Sequence, residues 1–145
     1  MKTKIKKDWF GRLKSIEEIH NDSKLWLSEI DFIKDEVRFL NHLLSSNYID
    51  FLEAGLRKEI DILVKKIEDE KAIGISLYKQ IKNHRKVLSN LIEIKSVTSN
   101  TNYLEKHKKI EREMSIFSKK YKKLKRTIFK IIGTIMRKKE QKILL

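Results

Sequence analysis

Apolar residues recur along this chain at alternating spacings of three and four, and the longest such run lies toward its C-terminal end. Tyr103, His107, Ile110, Met114, Phe117, Tyr121, Leu124, Ile128, Ile131 and Ile135 form one seam. That spacing, held over several heptads, predicts a helix of about 102–140 with a single buried stripe. Near the start of the chain, Ile16, Ile19, Ser23, Trp26, Ile30, Ile33, Val37, Leu40 and Leu44 follow the same rule and predict a first helix of about 9–45. A second row, Leu25, Phe32, Phe39 and Leu43, widens its apolar face, as a helix packed against two neighbours requires. Between the two, Ile49, Leu52, Leu56, Ile60, Leu63, Ile67, Leu77, Ile81, Leu88 and Leu91 predict a middle helix of about 48–95.

The middle seam lapses at Glu70 and Gly74. A break near Gly74 would give a four-helix bundle. With no proline and no capping cluster between 65 and 80, one continuous helix is the preferred reading. The turns are marked more clearly. Ser45-Ser46-Asn47 is short enough to force an antiparallel neighbour, and residues 96–102 are rich in β-branched and cap-forming side chains. Asn102 with Glu105 resembles a capping box opening the last helix. Ser15-Ile16-Glu17-Glu18 is one candidate start for the first helix and Asn21-Asp22-Ser23 another. The seam runs through both without a change of phase, which favours one helix across them. The predicted fold is all-α: three long helices in an up-down-up antiparallel, coiled-coil-like bundle. It forms a single domain over 1–145 with a basic tail at 1–8, and Trp9, Phe10 and Leu13 are expected to tuck under it.

Composition agrees. The 145 residues include no proline and four glycines, with 37% charged and 40% hydrophobic residues, the balance of amphipathic helices. The absence of cysteine excludes disulfides, thiolate metal sites and cysteine nucleophiles, and it suits a reducing compartment. The basic N-terminal stretch is not followed by an apolar run like that of a secretory signal, so a cytoplasmic location is expected. No stretch approaches the ~20 apolar residues of a membrane span.

Charge changes the picture more. The formal net charge is +14, and the surplus sits at the two ends of the chain, while residues 15–47 are acidic. Lys119, Lys120, Lys122, Lys123, Lys125, Arg126 and Lys130 crowd the last helix between its seam positions. They form either a surface that attracts anions or the solvated face of a Lys-rich protein. Lysine far outnumbers arginine, which favours diffuse attraction over the bidentate recognition arginine gives. In an up-down-up path the acidic flank of the first helix, Glu29, Asp31, Asp35 and Glu36, lies beside the basic last helix. Phe117 and Tyr121 interleave with the cations but fall on the seam, so they are expected in the core and not as base-stacking platforms.

The segment Trp26-Leu27-Ser28-Glu29-Ile30-Asp31-Phe32-Ile33-Lys34-Asp35-Glu36-Val37 resembles the first helix of small uncharacterised all-helical proteins of Bacteroidetes. The likeness continues into Met114-Ser115-Ile116-Phe117 and Tyr121. It implies three long helices and no enzyme signature, and it carries over no functional residue.

Four histidines raise the question of a metal. Glu17 and His20 make one Glu-x-x-His pair, and His107 and Glu111 lie one turn apart. A ferritin-like centre needs two such pairs and further inward glutamates. His84 and His107 fall on seams, where a histidine usually hydrogen-bonds at a helix contact, and the three-helix path sets the four histidines at different heights. No metal site and no cofactor are therefore expected. The neighbouring acids Asp35-Glu36 and Glu68-Asp69-Glu70 point about 100° apart on a helix, so they are read as solvated faces and not as a convergent acid–base pair. The glycines never cluster into a phosphate loop. The expected function is a non-enzymatic helical interaction or scaffold module, its partner another protein or a second copy of the chain. Sequence-nonspecific nucleic-acid binding through the basic face is the alternative. Peripheral contact with an anionic membrane is third, because Phe129, Ile132 and Met136 spread apolar surface beyond the seam among cations.

Overall fold

A helix starts where its unpaired N–H groups first find an acceptor, and here Ser15 supplies one. Its Oγ accepts a hydrogen bond from the Glu18 backbone N–H at 3.1 Å, and its hydroxyl lies 3.4 Å from Glu18 Oε1. In the computed structural model the backbone is described for residues 4–7, 13–93 and 101–144, and side chains for 15–93 and 102–141. Helix α1 runs Ile16–Ser46, α2 Tyr48–Glu53, α3 Arg57–Glu93 and α4 Thr101–Leu144. Ahead of them β1 (Lys4–Lys7) pairs antiparallel with β2 (Leu13–Ser15). The described residues thus form an all-α bundle of three long helices and one short one, with a small antiparallel strand pair before it.

The hairpin corrects the expected start of the first helix: residues 13–15 are committed to a strand until the Ser15 cap releases the chain into α1. Asn21-Asp22-Ser23 does not interrupt that helix; the buried Ser23 hydroxyl satisfies itself by donating back to the Ile19 carbonyl at 3.5 Å. Trp9, Phe10 and the Leu13 side chain lie outside the described residues, as does the predicted loop apart from its last two residues, which already belong to α4.

The middle segment breaks at Gly55 and continues through Gly74. Gly55 has φ +74°, its N–H donates to Leu52 O at 3.1 Å, and Leu56 N–H donates to Phe51 O at 2.8 Å. This pair of bonds is a Schellman closure of α2. The Leu56 carbonyl then accepts the Ile60 N–H at 3.0 Å and opens α3. In α2, Phe51 is buried while Ile49 and Leu52 are exposed, so the apolar face is rotated from the one the spacing predicted.

Along α3 the buried positions are Ile60, Leu63, Ile67, Glu70, Gly74, Leu77, Ile81, His84, Leu88 and Leu91. The alternation of three and four never fails. Glu70 and Gly74 are seam positions filled by other residue types. In α4 the seam holds as far as Ile128 and then takes Ile132, not Ile131, before Ile135. An α-helix drifts about 20° per heptad against a strict seven-residue repeat, and an extra step of four corrects the drift. The helix also continues past its predicted end near 140.

The chain divides into two compact units, Met1–Asp31 with Gly74–Ile116, and Phe32–Ile73 with Phe117–Leu145. Helices α1, α3 and α4 each contribute residues to both. In the first unit Ile19, Leu88, Leu91 and Tyr103 cluster, with Ile16 and Leu104 packed against them. In the second, Ile33, Val37, Leu40 and Leu44 of α1, Ile60, Leu63 and Ile67 of α3, and Phe117, Tyr121, Leu124 and Ile128 of α4 are buried. Each such side chain contributes roughly 1.5–3 kcal/mol by leaving water, which outweighs any exposed ion pair. Three of the four positions in the second apolar row of α1 are not core: Leu25, Phe32 and Phe39 are 60, 60 and 55% exposed, while Leu43 is half-buried.

Candidate functional site

Among the described residues, polar side chains gather within each unit, partly at seam positions. In the first unit α1, α3 and α4 bring together Asp22, His84 and His107. His84 Nε2 lies 2.8 Å from His107 Nδ1, and His107 Nε2 lies 3.0 Å from Asp22 Oδ2. An ionised carboxylate only accepts, so the simplest neutral arrangement has His107 Nε2–H donating to Asp22 and His84 Nε2–H donating to His107 Nδ1. His84 stacks on Tyr103 with ring centroids 4.3 Å apart and nearly parallel planes, and the Trp26 indole lies tilted 4.8 Å from the His107 ring. Burial pushes the Tyr103 hydroxyl well above the ordinary tyrosine range, and the Asp22 charge adds to the shift. Glu111, one turn beyond His107, completes a set with Asp22 whose ligand-type atoms lie within 4.8 Å of one another.

The histidines therefore do not all lie at different heights, as the three-helix path suggested. His84 and His107 meet, while His20 is exposed. The usable signal was their position on facing seams. Asp22 was missed because it reads as an N-cap candidate.

In the second unit the charged groups lie around α4. Lys119, Lys120, Lys122, Lys123, Arg126 and Lys130 are exposed. Lys119, Lys123, Arg126 and Lys130 fall at steps of four, three and four, so they share one stripe of the helix. Lys125 is different. Its Nζ lies 2.7 Å from Glu36 Oε2, and the Tyr121 hydroxyl donates to Glu36 Oε1 at 2.7 Å. Burial alone would raise the Glu36 carboxyl, but the hydrogen bonds from Lys125 and Tyr121 outweigh it and hold the group below the usual glutamate range. Of the acidic flank of α1, Asp31 and Asp35 are exposed and Glu36 makes the contact. Farther along, Lys139 Nζ lies 3.2 Å from Asp50 Oδ2. Phe117 and Tyr121 are buried, as their seam positions required.

Lys120 and Lys123 also line a groove of about 690 Å³ with Lys66, Asp69, Glu70 and Thr127. Glu70 is only 7% exposed, and its Oε2 has no hydrogen-bond partner among the described residues. Burial pushes its carboxyl above the usual range, the Lys120 charge opposing and the Asp69 charge assisting. Glu36 and Glu70 thus both depart from the solvated faces that their acidic neighbours suggested.

No helix among the described residues is long and apolar enough to cross a membrane. Comparison with protein-family models, with curated proteins and with solved structures found no match.

Proposed function

We propose that this chain is a non-enzymatic helical interaction module that binds a second copy of itself. The observation that carries this reading is the exposure of Phe32 and Phe39, 60 and 55%, seven residues apart on one face of α1. Large aromatics aligned two turns apart are an unusual use of a solvent face unless something covers them. The exposed acid Asp35 lies between them on the same stripe. On α4, Phe129 and Met136 are exposed at the same seven-residue spacing, and Lys122 and Arg126 extend that stripe. An acidic-aromatic face and a basic-apolar face within one unit are complementary. In a two-fold dimer each meets its counterpart on the other copy, so the contact forms twice. The cysteine-free sequence fits work in a reducing compartment such as the cytoplasm.

The test is Phe39→Glu, which should shift the protein from dimer to monomer in size-exclusion chromatography with light scattering while its helical circular dichroism is unchanged. An unchanged mass would remove this face from the interface.

The exposed Lys119, Lys123, Arg126 and Lys130 stripe favours a second reading, diffuse binding of a nucleic-acid backbone. Such binding to duplex DNA should fall steeply with added salt, and reversing Lys119, Lys123 and Arg126 to Glu should abolish it. Failure of the unmodified protein to bind even at low salt would make the stripe a solvated face.

A further inference from the structure

Independently of the interaction reading, the geometry points to a divalent transition-metal site in the first unit, formed by His107 Nε2 and the carboxylates of Asp22 and Glu111. One ligand-type atom from each of the three residues lies within 4.8 Å of the others, and His107 Nε2, the ring nitrogen that faces Asp22, is already 3.0 Å from Asp22 Oδ2. Around a tetrahedral ion with bonds of about 2.0–2.2 Å, ligand atoms stand roughly 3.3–3.6 Å apart. No pair therefore has to close by more than about 1.5 Å, a movement within reach of the half-buried Glu111 side chain through its rotatable bonds.

The placement supplies what a metal site needs beyond ligands. His107 is fully buried, with Trp26 against its ring, so its orientation is fixed before any ion arrives. Asp22 and Glu111 are only partly covered, which leaves a path from solvent and room for water on the ion. The other ring nitrogen of His107 faces His84 Nε2 at 2.8 Å. When Nε2 binds a cation, Nδ1 must carry the proton and donate, and His84 Nε2 is positioned to accept it. This is the outer-shell hydrogen bond that orients most metal-binding histidines. The tautomer change needs no net proton: one leaves His107 Nε2, one crosses from His84 Nε2 to His107 Nδ1, and one is taken up at His84 Nδ1.

One imidazole and two carboxylates form a borderline-to-hard donor set with total charge −2, which a divalent ion balances. Zn²⁺, Co²⁺ and Mn²⁺ accept such ligands. Three protein ligands leave at least one position open to water.

Titration of the full chain with Zn²⁺ by calorimetry, and with Co²⁺ by visible absorption, tests the assignment. One ion per chain is expected. Glu111→Gln should weaken Zn²⁺ affinity by at least about tenfold with circular dichroism unchanged, whereas His20→Gln and His42→Gln should not. X-ray absorption of the Zn²⁺-loaded unmodified protein should show a single imidazole with oxygen ligands, and this reading does not depend on any variant folding. Absence of binding, two or more imidazoles per ion, or full affinity in a folded Glu111→Gln protein would each overturn the site.

Discussion

All three seams carry buried polar residues, Ser23 in α1, Glu70 and His84 in α3 and His107 in α4, and their environments differ. His107 has both ring nitrogens engaged, to His84 and Asp22, so its burial leaves no ring nitrogen unsatisfied. Glu70 occupies a seam position of α3 with Oε2 unbonded among the described residues and its carboxyl held above the usual range, first by burial. A carboxyl whose value rises on folding destabilises the fold once ionised. The penalty is full above the folded value and disappears as pH falls below the unfolded one. Glu70→Leu should therefore stabilise the protein at neutral pH by roughly 1–3 kcal/mol, since it restores an apolar seam and removes an unpaired oxygen. Urea unfolding should show that gain shrinking as pH falls through the raised value and levelling off below about pH 4. Loss of stability at pH 7, or a gain independent of pH, would contradict this account. The sequence could not show the burial of Glu70, because an acid in a heptad position reads as a lapse when only residue types are visible. Position within the repeat was the better guide: the spacing from Ile60 to Leu91 includes residue 70 whatever stands there.

At the scale of elements the long helices, the Ser15 cap and the turn at 45–47 were legible, whereas the break at Gly55 and the strands before Ser15 were not. The seams of α1 and α4 specify long helices because burial of a continuous stripe dominates local preference. The break at Gly55 was hidden for a physical reason: Leu52 and Leu56 flank it at helical spacing, and only the positive φ of Gly55 reveals the Schellman closure. The hairpin before Ser15 gave no signal either, since KIKK and LKS have neither β-branched runs nor a marked alternation. Gly55→Ala should cost about 1–2 kcal/mol from the left-handed backbone alone, because a Cβ there meets nothing within 4 Å. A thermal melt showing no loss would mean that the turn can relax.

The contact between α1 and α4 in the second unit has its own pH signature. Glu36 is held low by Lys125 and Tyr121, against the opposing effect of burial. The stability it contributes is present above the unfolded value and is lost as pH falls through the lowered one. Glu36→Gln should destabilise the protein at neutral pH by up to about 1.5–3 kcal/mol, the range for hydrogen bonds to a charged group. The difference from the unmodified protein should narrow in strong acid. Equal stability at pH 7 would place the clamp among the many ion pairs that contribute nothing measurable.

For the whole molecule, the net charge of +14 opposes any association that does not bring unlike faces together. The sequence showed an acidic first helix and a basic last one, and it showed the second apolar row of α1. It did not show that this row would be left outside. A row beside a seam serves equally well to widen the core or to meet another chain, and burial alone separates the two. Leu25, Phe32 and Phe39 fall on the outer side of that division. Sedimentation equilibrium of the unmodified protein over a hundredfold range of concentration tests the interaction reading most directly. The account predicts a mass rising from 17.4 kDa toward twice that value as concentration increases; a mass fixed at 17.4 kDa throughout would contradict it.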